Sequence, residues 1–150
     1  MKLSTRSRYG TRLMLELALN YNNGPVLLKD ISQKQDVSLK YLGQLIIPLK
    51  AAGLIGSTRG AHGGYFLAKP PSEIKISKIV TSVEGSLDLV ECVSHESVCE
   101  KSDDCITRKI WKELSNRCYQ FLDSITLSDL AEFCKSGKDI DKFIKEKGKV

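Results

Sequence analysis

Directly after two closely spaced helical segments, the chain runs Leu54-Ile55-Gly56-Ser57-Thr58-Arg59, then Gly60-Ala61-His62-Gly63-Gly64, then Tyr65-Phe66-Leu67-Ala68. The two flanks read as short strands, and the glycine-rich tip can adopt the positive φ that a tight reversal needs. A two-stranded ribbon in this place turns a common helical hairpin into the outline of a winged helix-turn-helix. The helices ahead of it are legible in the same way. Thr5 or Ser7 can cap a first helix running to about Tyr21, because Tyr9, Leu13, Leu17 and Tyr21 recur every four positions and share one face. Asn22-Asn23-Gly24-Pro25 ends it, Val26-Leu27-Leu28 is extended, and a second helix covers Lys29 to Gln35. Asp36-Val37 turns the chain, and Ser38 is placed to cap a third helix, Leu39 to Ala52, closed by Gly53. Pro48 lies inside that helix, removes the hydrogen bond to the Gln44 carbonyl, and predicts a kink or break there.

The charge distribution agrees with a DNA-facing first half. Of the net charge of +5, residues 1–75 supply +7 from 11 Lys and Arg against 4 Asp and Glu, and residues 76–150 supply −2 from 12 against 14. A basic half beside a mildly acidic one suits a protein that meets a polyanion with one part only. Major-groove readers set the first residues of the recognition helix against base edges, here Ser38, Leu39, Lys40, Tyr41 and Gln44. Gln44 can make two hydrogen bonds to adenine, and Ser38 and Tyr41 can reach bases or phosphate. Lys40, Arg6 and Arg8 suit the phosphate backbone. Arg59 can enter the minor groove beside the site, with His62 on the wing tip.

Several classes are excluded. A chain that is 41% hydrophobic and 27% charged is an ordinary globular protein. Its longest apolar run, Leu13 to Leu19, is broken by Glu16 and falls short of the ~20 residues of a membrane helix. No apolar core with a cleavage site follows Arg6, Arg8 and Arg12, so a cytoplasmic location is expected. Two histidines without a nucleophile or acid–base setting, and no phosphate-cradling loop, argue against an enzyme.

Five cysteines, an odd number, fit a reducing compartment and thiols with work other than disulfides. A short helix from Ser77 to Val83 ends at Glu84-Gly85, and periodicity is then lost from about Ser86 to Asp104. Cys92, Cys99 and Cys105 belong to that stretch, spaced C-x6-C-x5-C, so irregular backbone can bring them to one point. Thiolates bind soft metals and iron–sulfur clusters. Zinc on Cys92, His95, Cys99 and Cys105 is chemically open as well. Cys118 instead continues the stripe Ile106, Ile110 and Leu114, followed by Phe121 and Ile125, on a helix of about twenty residues. Cys134 falls in a later short helix opened by Thr126-Leu127-Ser128-Asp129, and both read as small core residues. The long helix exceeds what a winged domain can cover, and packing it on its symmetry mate gives a twofold dimer. Such a dimer sets two recognition helices against a pseudo-palindromic operator on double-stranded DNA. The expected fold is mainly α with a small β wing. It comprises a winged-helix region (1–75), a short helix and connector (76–91), a cysteine loop (92–105), a dimerisation helix with a short following helix (106–135), and a charged tail (136–150).

The opening Met1-Lys2-Leu3-Ser4-Thr5-Arg6-Ser7-Arg8-Tyr9-Gly10, with Asp30-Ile31-Ser32, Ser38-Leu39-Lys40-Tyr41-Leu42, Gly53-Leu54-Ile55 and Arg59 to Tyr65, resembles the IscR-type regulators. These belong to the Rrf family of bacterial winged-helix transcription factors, which also includes NsrR, RirA and CymR. The resemblance runs from Met1 to Leu130 and implies a homodimeric DNA-binding regulator, a repressor sensing iron–sulfur, redox or nitric oxide status. It implies that Cys92, Cys99 and Cys105 hold an iron–sulfur cluster, 2Fe–2S in preference to 4Fe–4S, whose state changes which promoters are bound. CymR-like members lack the triad. The alternative expectation is a cluster-free or zinc-binding regulator or adaptor acting through a protein partner, as in cysteine-metabolism control. Departures stand out at three positions. IscR has a histidine three residues after its third cysteine, where this chain has Arg108, and arginine does not ligate iron. The fourth ligand is then open among His95, the carboxylates Glu91, Glu96, Asp103 and Asp104, or a group from the partner's first helix. NsrR-like members use an acidic residue early in helix one, where this chain has Arg8. IscR also has a glutamate in the recognition helix where this chain has Gly43, so its DNA sequence preference does not transfer.

Overall fold

Helix α1 (Thr5–Leu19) opens one residue ahead of the caps that periodicity suggests. In the computed structural model, which describes residues 3–60, 62–100, 104–137 and 139–148, Ser4 is the cap and its Oγ accepts from the Arg6 amide at 3.0 Å. Asp103, weighed above as a ligand, lies outside the described residues, as do Met1, Lys2 and Ala61. Ser7 fails as a cap because its hydroxyl is turned inward and donates to the Glu84 carboxylate at 2.6 Å. The buried stripe of α1 is Leu13, Met14, Leu17 and Ala18, set against the helices that follow. The helix stops at Leu19, and Tyr21 is exposed beyond it rather than completing the stripe.

Helix α2 (Leu28–Gln35) ends at Asp36, which takes the left-handed conformation, φ 51°, and lets Val37 turn into the core. Ser38 caps α3 (Leu39–Ala51) as expected, its Oγ accepting from the Tyr41 amide at 3.2 Å. Pro48 does not break this helix. Leu45, Ile46 and Leu49 are buried on either side of it, and Gln44, whose carbonyl loses its partner, is exposed so that water can serve it. Packing outweighs the missing bond. Gly53 follows at φ 68°, as its position after the helix requires.

The wing is β1 (Ile55–Thr58) paired antiparallel with β2 (Gly64–Leu67), in the register Ile55 to Leu67 and Thr58 to Gly64. Both strands are shorter than the sequence pattern suggests, since Arg59 already belongs to the turn. A third short segment completes the ribbon: Val26 and Tyr65 exchange both backbone hydrogen bonds, at 2.8 and 2.9 Å. Gly64 makes that approach possible, because a Cβ there would lie 2.6 Å from the Val26 carbonyl oxygen.

Helix α4 (Ile76–Glu84) starts without a side-chain cap, so the expected role of Ser77 is not found. Ser77 is buried and its hydroxyl donates to Asp123 at 2.7 Å. The same junction carries Ile76 N–H to the Ile125 carbonyl, 2.9 Å, and Leu127 N–H to the Ile74 carbonyl, 2.7 Å. The stretch after Gly85 is less irregular than its sequence implies: it holds the one-turn α5 (Glu91–Ser94) and a 3-10 turn at Glu96–Val98. Then come the long α6 (Ile106–Asp123), α7 (Leu127–Ser136) with a capping box of Thr126 and Asp129, and α8 (Ile140–Lys147) within the charged tail. Phe133 and Phe143, 4.8 Å between ring centroids, join α7 to α8. One core gathers α1, α3 and α4, with Ile125, Leu127 and Ala131 closing it. The two spare cysteines are not part of it. Cys118 is half-buried and Cys134 is exposed, because α6 and α7 each keep only part of their apolar stripes against the core.

Candidate nucleic-acid interface and metal centre

The amino end of α3 is the open face of the helix pair. Ser38, Lys40 and Gln44 are exposed there, and the Ser38 cap fixes the turn that displays them. Arg6 and Arg8 are exposed on the first turn of α1. Tyr41 stands apart from this set. It is half-buried, its ring meets Tyr9 edge-on at 5.8 Å, and its hydroxyl lies 2.9 Å from Thr5 Oγ1. The phenol therefore joins α3 to α1. The Arg8 and Arg12 guanidinium carbons sit 5.7 and 5.5 Å from the Tyr9 ring centroid, within cation–π range. Arg12 is further held by the Gln35 side chain and carbonyl, so α1 and α2 share one polar seam. Glu16 anchors that seam: it is buried, and Lys34 and Gln35 satisfy its two oxygens at 2.7 and 2.5 Å.

The wing stands beside this face. Lys50 Nζ donates to Ser57 Oγ at 2.7 Å and ties the end of α3 to β1. Arg59 and His62 are both exposed at its tip. Ile47, 69% exposed, was not among the expected readers. Its spacing from Leu39 and Gly43 by fours puts it on one exposed face, and that spacing was readable beforehand.

Glu84 links this surface to the cysteine loop. Its Oε1 accepts from the Ser4 hydroxyl, from Ser7 Oγ at 2.6 Å, and from the Ser4 and Ser7 amides at 3.2 Å each. A carboxylate at the amino end of α1 also meets the positive end of the helix dipole. Burial pushes the Glu84 carboxyl up, but the hydrogen bonds from Ser4 and Ser7 outweigh it and hold the pKa below 4.5. A folded-state pKa depressed in this way adds stability above the unfolded value, which is lost as pH falls through 4.5 and then through the folded value. Thermal melts of Glu84→Gln are therefore expected to flatten below pH 5 relative to the parent. Parallel Tm profiles for the two proteins would contradict the assignment.

The loop itself is organised around α6. Asp88 accepts from Ser86 and Ser94 at 2.6 and 2.7 Å, and the Leu89 amide donates to Ser115 Oγ at 3.1 Å. Arg108 Nε donates to the Cys92 carbonyl at 2.7 Å. Cys105 occupies the cap position of α6, with Thr107 Oγ1 3.2 Å from its sulfur. That hydroxyl first, and the Arg108 and Thr107 amides with the Arg108 charge after it, hold the Cys105 thiol pKa below its ordinary value. Cys92 and Cys105 are thus both drawn to Arg108. Cys99 is exposed after the 3-10 turn, directly ahead of a stretch outside the described residues, and His95 is exposed with its imidazole in the field of Asp88. Among the described residues, no three His, Cys, Asp or Glu side chains are grouped closely enough to hold a metal. Arg108 therefore touches the Cys92 backbone carbonyl with its side chain and the Cys105 sulfur with its amide, and Cys99 and His95 do not join Cys92 and Cys105 in one group. By donor chemistry the set fits an iron–sulfur centre, with three thiols and hydrogen-bond donors at the sulfur of Cys105.

Along α6, Ile106, Ile110 and Leu114 are 76%, 57% and 39% exposed, and Trp111 and Tyr119 are open beside them. Ser115 is the buried residue of this helix. An apolar face of that extent is the mark of an interaction surface. No described helix is long and apolar enough to cross a membrane.

Comparison with known proteins places this architecture. A family described as "Rrf2: Iron-dependent Transcriptional regulator" matches residues 3–132. The chain is 45% identical over 130 residues to the protein rrf2 of Nitratidesulfovibrio vulgaris, spanning 87% of both chains. It is 43% identical over 130 residues to the HTH-type transcriptional regulator IscR of Serratia proteamaculans, covering 87% of this chain and 79% of that one. Among solved structures, IscR of T. potens superposes with a TM-score of 0.76 at 37% identity, covering 93% of this chain and 92% of that one. CymR of B. subtilis, the global cysteine regulator of that organism, gives 0.74 at 39% identity, covering 89% of this chain and 98% of that one.

Proposed function

This chain belongs to the Rrf2 family of transcriptional regulators, and from that premise we propose that it is a homodimeric repressor whose hold on a pseudo-palindromic operator follows an iron–sulfur cluster on Cys92, Cys99 and Cys105. It regulates transcription by binding DNA and is not an enzyme. The cluster reading is supported chiefly by the placement of the cysteine loop. The loop leaves α4 at Glu84, which grips the end of α1 bearing Arg6 and Arg8, and it re-enters the fold at Cys105, the cap of α6. Loading the loop then biases both the DNA-facing helix and the dimer helix, which is a coupling free energy between two sites.

Cys92, Cys99 and Cys105 hold the centre in this reading, with His95 as the candidate fourth ligand and 2Fe–2S favoured over 4Fe–4S. When bound, the cluster supplies a centre that oxidation, nitric oxide or iron shortage can discharge. Arg6, Arg8 and Lys40 meet phosphates, Ser38 and Gln44 meet base edges, and Tyr41 orients them. Arg59 enters the minor groove, with His62 at the wing tip. The exposed face of α6 packs on its symmetry mate, and the protein works in the cytoplasm, where thiols stay reduced. Anaerobic purification followed by a visible spectrum and iron and sulfide analysis tests the cluster, with Cys99→Ala as control. Colourless protein without iron or sulfide would remove it.

Arg6, Arg8 and Lys40 on each protomer give about six phosphate contacts per dimer, so the log–log salt slope of operator binding is expected to be about −5. That is a loss of roughly 10³-fold between 50 and 200 mM salt. Affinity indifferent to salt in a filter-binding or anisotropy series would contradict these phosphate roles.

Two observations are consistent with a second reading: no three metal-ligating side chains group together among the described residues, and CymR superposes at a TM-score of 0.74 beside 0.76 for IscR. In that reading the protein is cluster-free or binds zinc and works through a protein partner. Zinc in place of iron in the purified protein, with no specific DNA retained from a fragment pool, is its signature.

A further inference from the structure

We infer that Arg108 is the positioning residue of the thiol loop: it pins the backbone at Cys92 against the first turn of α6, beside Cys105, and supplies no ligand itself. The inference deepens the cluster reading and rests on it for its purpose, although the geometry exists without a cluster. Arg108 reaches back sixteen residues, and its Nε donates to the Cys92 carbonyl at 2.7 Å. A guanidinium carries only donors and stays charged at any working pH, so it can hold a carbonyl and cannot ligate iron. Its own backbone lies in the opening turn of α6, three residues past the Cys105 cap. One side chain therefore ties both ends of the cysteine loop to one rigid element, which is how a ligand set is preorganised.

The neighbouring contacts do a different job. Leu89 on Ser115 and Asp88 on Ser86 and Ser94 shape the approach to α5, but they end before Cys92 or bridge within the loop. Arg108 fixes Cys92 relative to α6. Without the guanidinium, the Cys92 carbonyl turns to water and the one-turn α5 can swing away, widening the separation of Cys92 from Cys105.

The test uses cluster-free full-length protein carrying Cys99→Ala, Cys118→Ala and Cys134→Ala, so that Cys92 and Cys105 are its two thiols. Dibromobimane fluoresces once both its arms have alkylated neighbouring thiols, and intact mass confirms the bridge. The expected result is ready bridging in this parent and at least five-fold slower bridging in Arg108→Ala. Arg108→Lys, which keeps a charged donor of similar reach, is expected to regain at least half the parent's rate. Circular dichroism melts identify any variant that fails to fold, and Arg108→Gln then replaces it in the comparison. An unbridged parent, an Arg108→Ala rate equal to the parent's, or no recovery in Arg108→Lys overturns the inference. Iron and sulfide in the protein with all five cysteines separate the two readings. Arg108-dependent bridging in a protein that never holds iron sinks the cluster and leaves the positioning role. Full iron in Arg108→Ala with unchanged bridging sinks the positioning role and leaves the cluster.

Discussion

Cys92→Ala, Cys99→Ala and Cys105→Ala, each made alone, are expected to lower protein-bound iron and sulfide more than tenfold after anaerobic purification. Cys118→Ala and Cys134→Ala are expected to leave both at the parent's level. Losing an outer-shell partner of a metal ligand already costs ~10–100-fold in affinity, and losing a thiolate from a set of three costs more. Cys105 is the most demanding of the three. It begins α6, its thiol is drawn below its ordinary pKa by Thr107 and the Arg108 and Thr107 amides, and it shares its anchor with Cys92. Cys118 and Cys134 sit on α6 and α7, outside the loop. Equal iron in all five variants would contradict the ligand assignment, as would a loss in Cys118→Ala as large as that in Cys99→Ala.

The second large effect lies on α6. Ile110→Glu combined with Leu114→Glu is expected to convert the dimer to a monomer and to lower operator affinity at least 100-fold. Burying an Ile or Leu is worth about 1.5–3 kcal/mol, and a twofold axis counts each residue twice. A carboxylate placed in that contact must be desolvated without a partner, which adds several kcal/mol per ion. The monomer's own fold should survive, since Ile110 and Leu114 are exposed and absent from the core. Sedimentation velocity reads the mass and thermal melts read the fold. A variant that remains dimeric at micromolar concentration would place the interface elsewhere.

The winged helix was legible because local chemistry specifies it. Ser38 caps α3 through the Tyr41 amide, and Gly53 and Gly60 take the positive φ their positions demand. The periodic stripe likewise marked α6, although the helix ends at Asp123 and Ile125, expected to continue the stripe, lies beyond it in the core. Three things escaped because their causes lie far away in sequence. Ser4 rather than Thr5 caps α1, and Ser7 turns inward, since both serve Glu84 some eighty residues on. Pro48 is carried through α3 by core contacts that local propensity does not report. Arg108 stood in the sequence only as a missing ligand, whereas its partner is a backbone carbonyl sixteen residues back. Side chain to carbonyl contacts leave no periodicity and no motif. The burial expected for Cys134 failed for the converse reason, since its helix packs on the core through Leu127 and Ala131.

The most direct measurement titrates a fluorescent operator, selected from a random duplex pool, with one anaerobic preparation before and after the cluster is stripped by a chelator. At fixed salt the two dissociation constants are expected to differ at least tenfold, a coupling of about 1.4 kcal/mol. Equal constants for the loaded and stripped protein would contradict a DNA grip set by chemistry at Cys92, Cys99 and Cys105.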